Sequence, residues 1–358
     1  MLSLKANYLA GHGYDVTIVT SDQRGRKMFF DFDKRIKTHD LGINYDINNG
    51  KPFADKLLHF PVKQYRHRRR LTRLLKEIRA DIVVSMFNND ASFIHKIDDG
   101  SRKILEVHFS RYKRLQYGRK GLWRLADRWM AHRDANTAKH YDRFVVLTRE
   151  DMGYWRGVKN IQVIPNARSF ETPYKSYLDG KRVIAVGRLE RQKGFDMLIG
   201  IWQSVCERVP DWHLDIIGEG PLHEDLQRQI DRCGISDSVS ILEPTPNIIE
   251  YYMESSILAM TSRYEGFPMV LLETMTCGVP AVSFACKCGP ADIITDGRDG
   301  FLTDEGDRNT FADRLVTLMG DADLRKRMGA EAKKTSERYS IGNIMGRWVS
   351  LFNSTVRK

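Results

Sequence analysis

Two basic residues in one short segment have the clearest potential for chemistry. Arg188 and Lys193 lie in the segment GRLERQKG at residues 187–194, which follows a predicted strand and opens a predicted helix. A helix N-terminus directs backbone N–H groups at an anion, an arginine binds phosphate through paired hydrogen bonds, and a lysine supplies a point charge. The two residues could therefore hold a diphosphate, although a solvated basic turn is an equally good interpretation of this segment alone.

Two further segments in the same half of the chain follow predicted strands. The segment GEGP at residues 218–221 contains Gly218 and Glu219, and its glycines would let a ligand approach the backbone closely. The segment EGFPMVLLE places Glu265 before a predicted helix and Glu273 inside it. Because the neighbouring side chains are apolar, these carboxylates need polar partners such as sugar or ribose hydroxyls. Taken singly, a plain turn and a solvated acidic pair remain alternative interpretations.

These segments are positioned by elements that alternate short β-branched runs with amphipathic stretches of helical length, a pattern typical of parallel α/β sheets. Predicted strands are Val16–Thr20, Ile82–Met86, Ile104–Val107, Phe144–Leu147 and Gln162–Ile164, then Val183–Val186, Leu214–Ile217, Val239–Leu242, Ile257–Met260 and Ala281–Phe284. Predicted helices are Leu2–Ala10, Phe195–Arg208, Leu222–Arg232, Ile248–Met253 and Met269–Cys277, with a helical tail from Arg308 that breaks near Tyr339. A polar stretch near residues 166–181 separates two doubly wound sheets, which would bind ligands at the carboxyl ends of their strands.

Charge is divided unevenly between the two halves. Residues 1–170 carry 34 Lys and Arg against 18 Asp and Glu, and residues 171–358 carry 23 against 28, so net charges of +16 and −5 add to +11. The basic runs are Lys63–Arg73 and Arg111–Arg133, the second interleaved with Tyr112, Tyr117, Trp123 and Trp129. An exposed charged helix face would explain either run alone. Nucleic acid is a rival partner, but no nucleic-acid-binding motif accompanies the runs, so an anionic membrane surface is the predicted partner and nucleic acid is not.

Neither a metal site nor a membrane span is predicted. The chain has 5 cysteines without C-x-x-C spacing, which predicts free thiols in a reducing compartment, and the pair Cys286 and Cys288 has no second pair nearby. The D-x-D sequence at Asp31 and Asp33 lies far from the other motifs. No run of about 18 apolar residues occurs, so no membrane-spanning helix is expected.

In this order and spacing, the three segments resemble the family-4 retaining glycosyltransferases, which have the GT-B fold. The resemblance covers nearly the whole chain and is strongest over residues 182–302. Further matching segments are VIPN at 163–166, SRYEG at 262–266, CGVPAV at 277–282 and GPADII at 289–294. Within the family, the chain is similar to bacterial enzymes that build capsule, exopolysaccharide or lipid-linked oligosaccharide.

The resemblance implies a division of the chain and a set of site residues. It implies two Rossmann-like domains facing a cleft: an acceptor-side domain at 1–168, a nucleotide-sugar domain at 169–338, and a helix at 339–358 that crosses back to the first domain. Arg188 and Lys193 would bind the donor diphosphate, and Glu273 would hold the ribose. The implied catalytic residues are Glu265, facing the sugar hydroxyls, and His108, at a strand end near the reacting carbon. The other implied donor contacts are Gly218, Glu219, Gly266, Phe267, Pro268 and Met269.

The implied reaction is metal-independent transfer of a hexosyl unit, with retention, from a nucleotide diphosphate sugar to a saccharide or polyprenyl-diphosphate-linked acceptor. No cofactor is expected, and a UDP-sugar is favoured over a GDP-sugar. The expected location is cytoplasmic, on the inner face of the cell membrane. The alternatives are an inactive nucleotide-sugar-binding remnant, or another GT-B enzyme such as a sugar-nucleotide epimerase.

The chain departs from the family at its start. Family members begin with a strand and a glycine-rich loop before the helix that corresponds to Leu2–Ala10. The resemblance therefore predicts that the first domain lacks its leading strand and that the chain is cut short at its N-terminus.

Overall fold

A computed structural model describes residues 1–48, 53–113 and 121–357, and these fold into parallel α/β sheets. The strands are β1 Thr17–Thr20, β2 Lys37–Asp40, β3 Ile82–Ser85, β4 Arg102–Glu106, β5 Arg143–Val146, β6 Ile161–Val163, β7 Arg182–Val186, β8 His213–Ile217, β9 Val239–Leu242, β10 Ile257–Met260, β11 Ala281–Phe284 and β12 Gly300–Thr303. The helices are α1 Leu2–Gly11, α2 Phe53–Ile78, α3 Leu122–Ala138, α4 Arg149–Tyr154, α5 Phe195–Cys206, α6 His223–Cys233, α7 Ile248–Glu254, α8 Met269–Thr276, α9 Pro290–Ile293, α10 Arg308–Gly320, α11 Ala322–Ser336 and α12 Ile341–Val356.

The second half of the chain forms one doubly wound sheet with the order β12-β11-β10-β7-β8-β9. Its first strand, β7, is flanked by β8 on one side and by β10 on the other, so the chain reverses its direction of winding between β7 and β10. This reversal is the topological switch point at which such sheets bind ligands. Trp202, Leu198 and Phe311 pack on one face of the sheet, and Leu271, Leu272 and Met275 pack on the other, so the sheet is buried between helices.

The described strands of the first half form two separate groups. Strand β1 pairs with β2, while β3 to β6 pair in sequence order. Within the described ranges, no strand joins β1 to β3. The predicted truncation of the chain before α1 stays a prediction.

The predicted α/β fold of parallel sheets is confirmed, and the helix and strand bounds move by only about one or two residues. Two strands were missed. Strand β2 has the sequence KTHD with four exposed residues, so it shows no alternation of apolar and polar positions. Strand β12 opens with Gly300, a residue type that is depleted in strands.

One basic run lies on a helix, and the other lies on a helix only in part. The run Lys63–Arg73 belongs to α2, which buries His67, Leu71 and Leu75 on one face and exposes its arginines. Part of the run Arg111–Arg133 belongs to α3, whereas Tyr117 and the rest of residues 114–120 lie outside the described residues. None of the described helices is both long and apolar enough to span a bilayer.

The C-terminal helix contacts the first half of the chain. Trp348 of α12 is buried, and the Nζ atom of Lys5 in α1 lies 3.7 Å from the centre of its ring. A short 3-10 turn at Glu337–Tyr339 separates α11 from α12, where the sequence predicted a break. The domain boundaries at 168/169 and 338/339 stay predictions.

Candidate active site

The candidate residues of the second half lie at the carboxyl ends of β7, β8 and β10. After β7 the chain forms a 3-10 turn at Arg191–Lys193, and Gly194 then adopts a left-handed φ of 69° before α5 begins. A Cβ atom on Gly194 would lie 2.1 Å from the carbonyl oxygen of Thr261, which follows β10. The turn after β7 and the loop after β10 therefore touch at the switch point, and only glycine fits the contact.

Lys193 and Glu265 meet at this contact. The Lys193 Nζ atom donates to Oε1 of Glu265 at 2.7 Å, and the hydroxyl of Ser262 donates to the same oxygen at 2.7 Å. The Glu265 side chain is 6% exposed and that of Lys193 is 18% exposed. The sequence predicted both residues for the donor site, and the structure brings them into direct contact.

Arg188, in the same turn after β7, remains at the surface. Its side chain is 66% exposed and donates to Glu190 at 2.9 Å. The backbone N–H of Leu189 donates to the carbonyl of Glu219 at 2.8 Å, which joins the turn after β7 to the loop after β8. A Cβ on Gly218 would lie 1.9 Å from the Gly187 carbonyl oxygen, so the glycine is required by backbone packing alone.

An ion pair that the sequence reasoning did not assign braces the same loops. Arg263 donates to both carboxylate oxygens of Asp196, at 2.8 and 2.7 Å, and to the carbonyl of Arg191 at 2.7 Å. Gln192 adds a bond to the carbonyl of Tyr264 at 3.0 Å. The hydrogen bonds to Asp196 raise the pKa of Arg263. Arg263 lies in the segment SRYEG at 262–266, which matches the family. Its partner Asp196, at the start of α5, could be found only once β10 was known to lie beside β7.

Glu273 lies on α8 and is held by two hydroxyl donors. Ser169 donates to Oε1 at 2.7 Å, and Tyr252 donates to Oε2 at 2.8 Å. Burial and the adjacent carboxylate raise the pKa of Tyr252, so its hydroxyl stays protonated and donates. A carboxylate offers about four acceptor positions, and Glu273 is half-buried, so it can accept further hydroxyls.

The segment between the two glutamates contacts the first half of the chain. A Cβ on Gly266 would lie 2.6 Å from the carbonyl oxygen of His108, so the two loops meet backbone to backbone. Phe267 is buried, 5.9 Å from the Tyr339 ring by centroids. Pro268 caps α8, which begins at Met269. Because proline has no N–H, the implied donor contact of Pro268 could not be a backbone hydrogen bond donated to a sugar.

His108 follows β4 and faces a buried ion pair. Its Nε2 atom lies 3.1 Å from Oε1 of Glu106, whose carboxylate accepts from Lys5 Nζ at 2.6 and 2.5 Å. Burial acts to raise the pKa of Glu106, but Lys5 and then His108 lower it to about 2. The Glu106 carboxylate is therefore ionised beside the imidazole at neutral pH.

The cysteines and acidic residues do not form a metal site within the described ranges, where no group of three or more His, Cys, Asp or Glu side chains could hold a metal ion. All five cysteines are free thiols. Burial raises the pKa of Cys277 to about 12 and that of Cys286 well above its ordinary value, so these thiols stay protonated. The predicted absence of a metal stays a prediction.

The geometry brings cations, carboxylates and a helix start to one edge of the second sheet. Lys193 and Arg188 can stabilise negative charge there, and Glu273 can accept hydroxyls. His108 approaches the same edge through its backbone contact with Gly266. The individual roles assigned to these residues stay predictions.

Two family descriptions match the chain in succession. Residues 5–171 match Glycosyltransferase Family 4, and residues 168–335 match Glycosyl transferases group 1. A glycosyltransferase of Haemophilus influenzae is 29% identical over 349 residues, covering 96% of this chain and 92% of the relative. The amylovoran biosynthesis glycosyltransferase AmsD of Erwinia amylovora is 36% identical over 222 residues, covering 59% of this chain and 62% of AmsD.

Solved structures show the same fold. The crystal structure of HepE from Anabaena in complex with UDP superposes with a TM-score of 0.72 at 15% identity, covering 95% of this chain and 100% of HepE. The two matched families run in succession from residue 5 to residue 335. The chain is therefore a glycosyltransferase of the GT-B fold, with a family 4 region followed by a group 1 region.

Proposed function

We propose that this chain transfers a hexosyl unit from a nucleotide diphosphate sugar to a saccharide acceptor with retention of anomeric configuration. The observation that carries the proposal is the meeting of Lys193 and Glu265 at the switch point of the second sheet, where such sheets bind nucleotides. Retention is supported by the resemblance of the segments at 187–194 and 265–273 to retaining family-4 enzymes.

The transfer breaks the bond between the anomeric carbon and the terminal phosphate oxygen, forms a bond to an acceptor hydroxyl oxygen, and passes the hydroxyl proton to the departing diphosphate. The diphosphate gains negative charge as it leaves. Arg188, Lys193 and the N–H groups of the turn after β7 would stabilise that charge by fixed electrostatics, which supports a metal-independent reaction. Glu273 would accept the ribose hydroxyls, while Glu265 and His108 would lie beside the sugar.

The donor is proposed to be a UDP-sugar rather than a GDP-sugar. UDP is present in the structure of HepE, which shares the fold along nearly the whole chain. The acceptor is proposed to be a growing bacterial saccharide, free or linked to a polyprenyl diphosphate. AmsD, whose name assigns it to amylovoran biosynthesis, supports a polysaccharide acceptor.

The proposed location is the surface of an anionic membrane. Helix α3 supports it, because Leu125 and Trp129 are 62% and 63% exposed on a face that also exposes Arg124, Arg128 and Arg133. Lys and Arg side chains near an anionic surface contribute about 1 kcal/mol each, and aromatic side chains favour the headgroup region. A lipid-linked acceptor would be reached from such a position.

The test is calorimetric titration with UDP and GDP of the parent, Arg188→Ala and Lys193→Ala. Each variant removes one charge-assisted contact, which is worth roughly 1.5–3 kcal/mol, so UDP affinity should fall by about 10- to 150-fold. Matched controls are Arg327→Ala and Lys334→Ala, both on the exposed side of α11.

Donor consumption is then measured with a panel of UDP-hexoses and a lipid-diphosphate saccharide acceptor. Equal UDP affinity in the parent and both site variants would contradict the proposed site. UDP binding without consumption of any donor would favour a nucleotide-sugar-binding protein over an enzyme.

A further inference from the structure

Two segments, one from each half of the chain, cap one another reciprocally. The Asp292 carboxylate accepts from the backbone N–H of Arg149 at 3.0 Å and from that of Glu150 at 3.2 Å. In return, the Glu150 carboxylate accepts from the backbone N–H of Cys288 at 2.8 Å. Asp292 thus accepts the free N–H groups at the start of α4, which follows β5, while Glu150 accepts an N–H group of the loop that follows β11.

A buried polar cluster continues this contact toward β4. The Cys288 thiol donates to the Ser110 hydroxyl at 3.2 Å, and burial raises the pKa of that thiol, so it stays protonated. Asp151 accepts from the backbone N–H of Arg111 at 2.7 Å and from the indole of Trp155 at 2.9 Å. Residues 108–111 and 149–155 of the first half are therefore tied into one unit.

The facing segment of the second half is tied to the loop that carries Glu265. The backbone N–H of Glu265 donates to the carbonyl of Lys287 at 3.0 Å. A Cβ on Gly289 would lie 2.3 Å from Cδ of Pro268, so the two loops pack without space between them. A shift of residues 287–292 would consequently move Glu265 and Gly266 relative to His108.

We propose that Asp292 and Glu150 are positioning residues that hold His108 against the Glu265-Gly266 loop. The inference rests on the proposed function, and neither residue is assigned contact with the substrate. The proposed diphosphate and ribose contacts, Arg188, Lys193 and Glu273, all belong to the second half. Loosening the reciprocal caps therefore lowers turnover while leaving nucleotide affinity in place.

The first test compares the parent with Asp292→Ala, Asp292→Asn and Glu150→Gln, using Asp237→Ala, an exposed aspartate outside these contacts, as the control. We expect kcat to fall by about tenfold or more in Asp292→Ala, in line with the loss of charge-assisted hydrogen bonds. Asp292→Asn retains one acceptor oxygen and should lie between the parent and Asp292→Ala. The UDP Kd should change by less than about twofold, because the cap makes no donor contact.

Unchanged turnover in Asp292→Ala would overturn the inference, as would a loss of UDP affinity that matches the loss of turnover. A parent that neither binds UDP nor consumes a donor would instead contradict the proposed function.

Hydrogen–deuterium exchange then tests the cap without a measurement of activity. We expect faster exchange in Asp292→Ala at residues 107–110, 149–151 and 264–266, with β8 unchanged. Faster exchange confined to 149–150 would overturn the inference, because His108 and Glu265 would then be independent of the cap.

Discussion

Lys193 and Glu265 stand 72 positions apart in the chain, yet Nζ of one lies 2.7 Å from Oε1 of the other. The Lys193 charge is therefore already engaged before any donor phosphate arrives. A bound diphosphate and the Glu265 carboxylate would compete for the same cation. The contact therefore predicts that the two residues affect UDP binding in opposite directions, which their sequence positions do not indicate.

Glu265→Gln should bind UDP at least as tightly as the parent, because Lys193 no longer has a carboxylate beside it. Turnover should nevertheless fall by about 100-fold or more, the range that follows removal of an electrostatic contact in an active site. Calorimetry with UDP and donor consumption measure the two effects. The matched control is Glu331→Gln, an exposed carboxylate that pairs with Lys334 outside the site. A parallel loss of UDP affinity and turnover would contradict separate roles.

Tyr252→Phe should weaken UDP binding by about 3- to 10-fold, because it removes one of the two donors that orient Glu273, a bond of roughly 1 kcal/mol. The ring is fully buried and keeps its packing as phenylalanine. Affinity for inorganic diphosphate should not change, since Glu273 is proposed to contact only the ribose. Tyr251→Phe is the control at the neighbouring position. Equal losses for UDP and diphosphate would mean that the variant disturbs the whole site.

The Lys5–Glu106 pair should appear in the pH dependence of stability. The pKa of Glu106 is lowered from 4.5 to about 2, so its contribution is fully present above about pH 4.5 and is lost as the pH falls through 2. The free energy of unfolding, measured by urea titration between pH 5 and about pH 2, should fall less steeply in Lys5→Met/Glu106→Leu than in the parent. Identical slopes would show that the pair does not stabilise the fold.

The single substitution Glu106→Leu should be more harmful than the double substitution. It leaves the Lys5 ammonium, with a side chain only 14% exposed, without its carboxylate. Breaking one side of a buried pair costs about 3–5 kcal/mol, whereas replacing both partners with apolar residues is often close to neutral. Thermal melting of the two variants and the parent measures the difference. Equal melting temperatures for the single and double variants would contradict this account.

The site could be predicted from the sequence in its residue types but not in its contacts. Arg188, Lys193 and the two glutamates stand out because strand and helix patterns surround them. The pairing of Lys193 with Glu265 and of Arg263 with Asp196 depends on β10 lying beside β7, which periodicity alone does not reveal. The Asp292 cap joins residues more than a hundred positions apart, and no local sequence pattern predicts it.

The exposed face of α3 should bind anionic membranes through two contributions that can be measured separately, charge attraction and apolar contact. Arg124, Arg128 and Arg133 supply charge attraction, which salt screens within about 8 Å at physiological ionic strength. Leu125 and Trp129 supply apolar contact, which salt does not screen. In cosedimentation with phosphatidylglycerol-containing vesicles, replacing the arginines with glutamine should remove most binding at low salt. Leu125→Ala/Trp129→Ala should instead remove the fraction that persists at high salt.

Replacing Arg66, Arg68 and Arg69 on α2 with glutamine gives a control of equal charge. The same loss with the α2 control would mean that net charge, not this face, drives binding, and tighter binding to RNA than to vesicles at equal salt would favour a nucleic-acid partner.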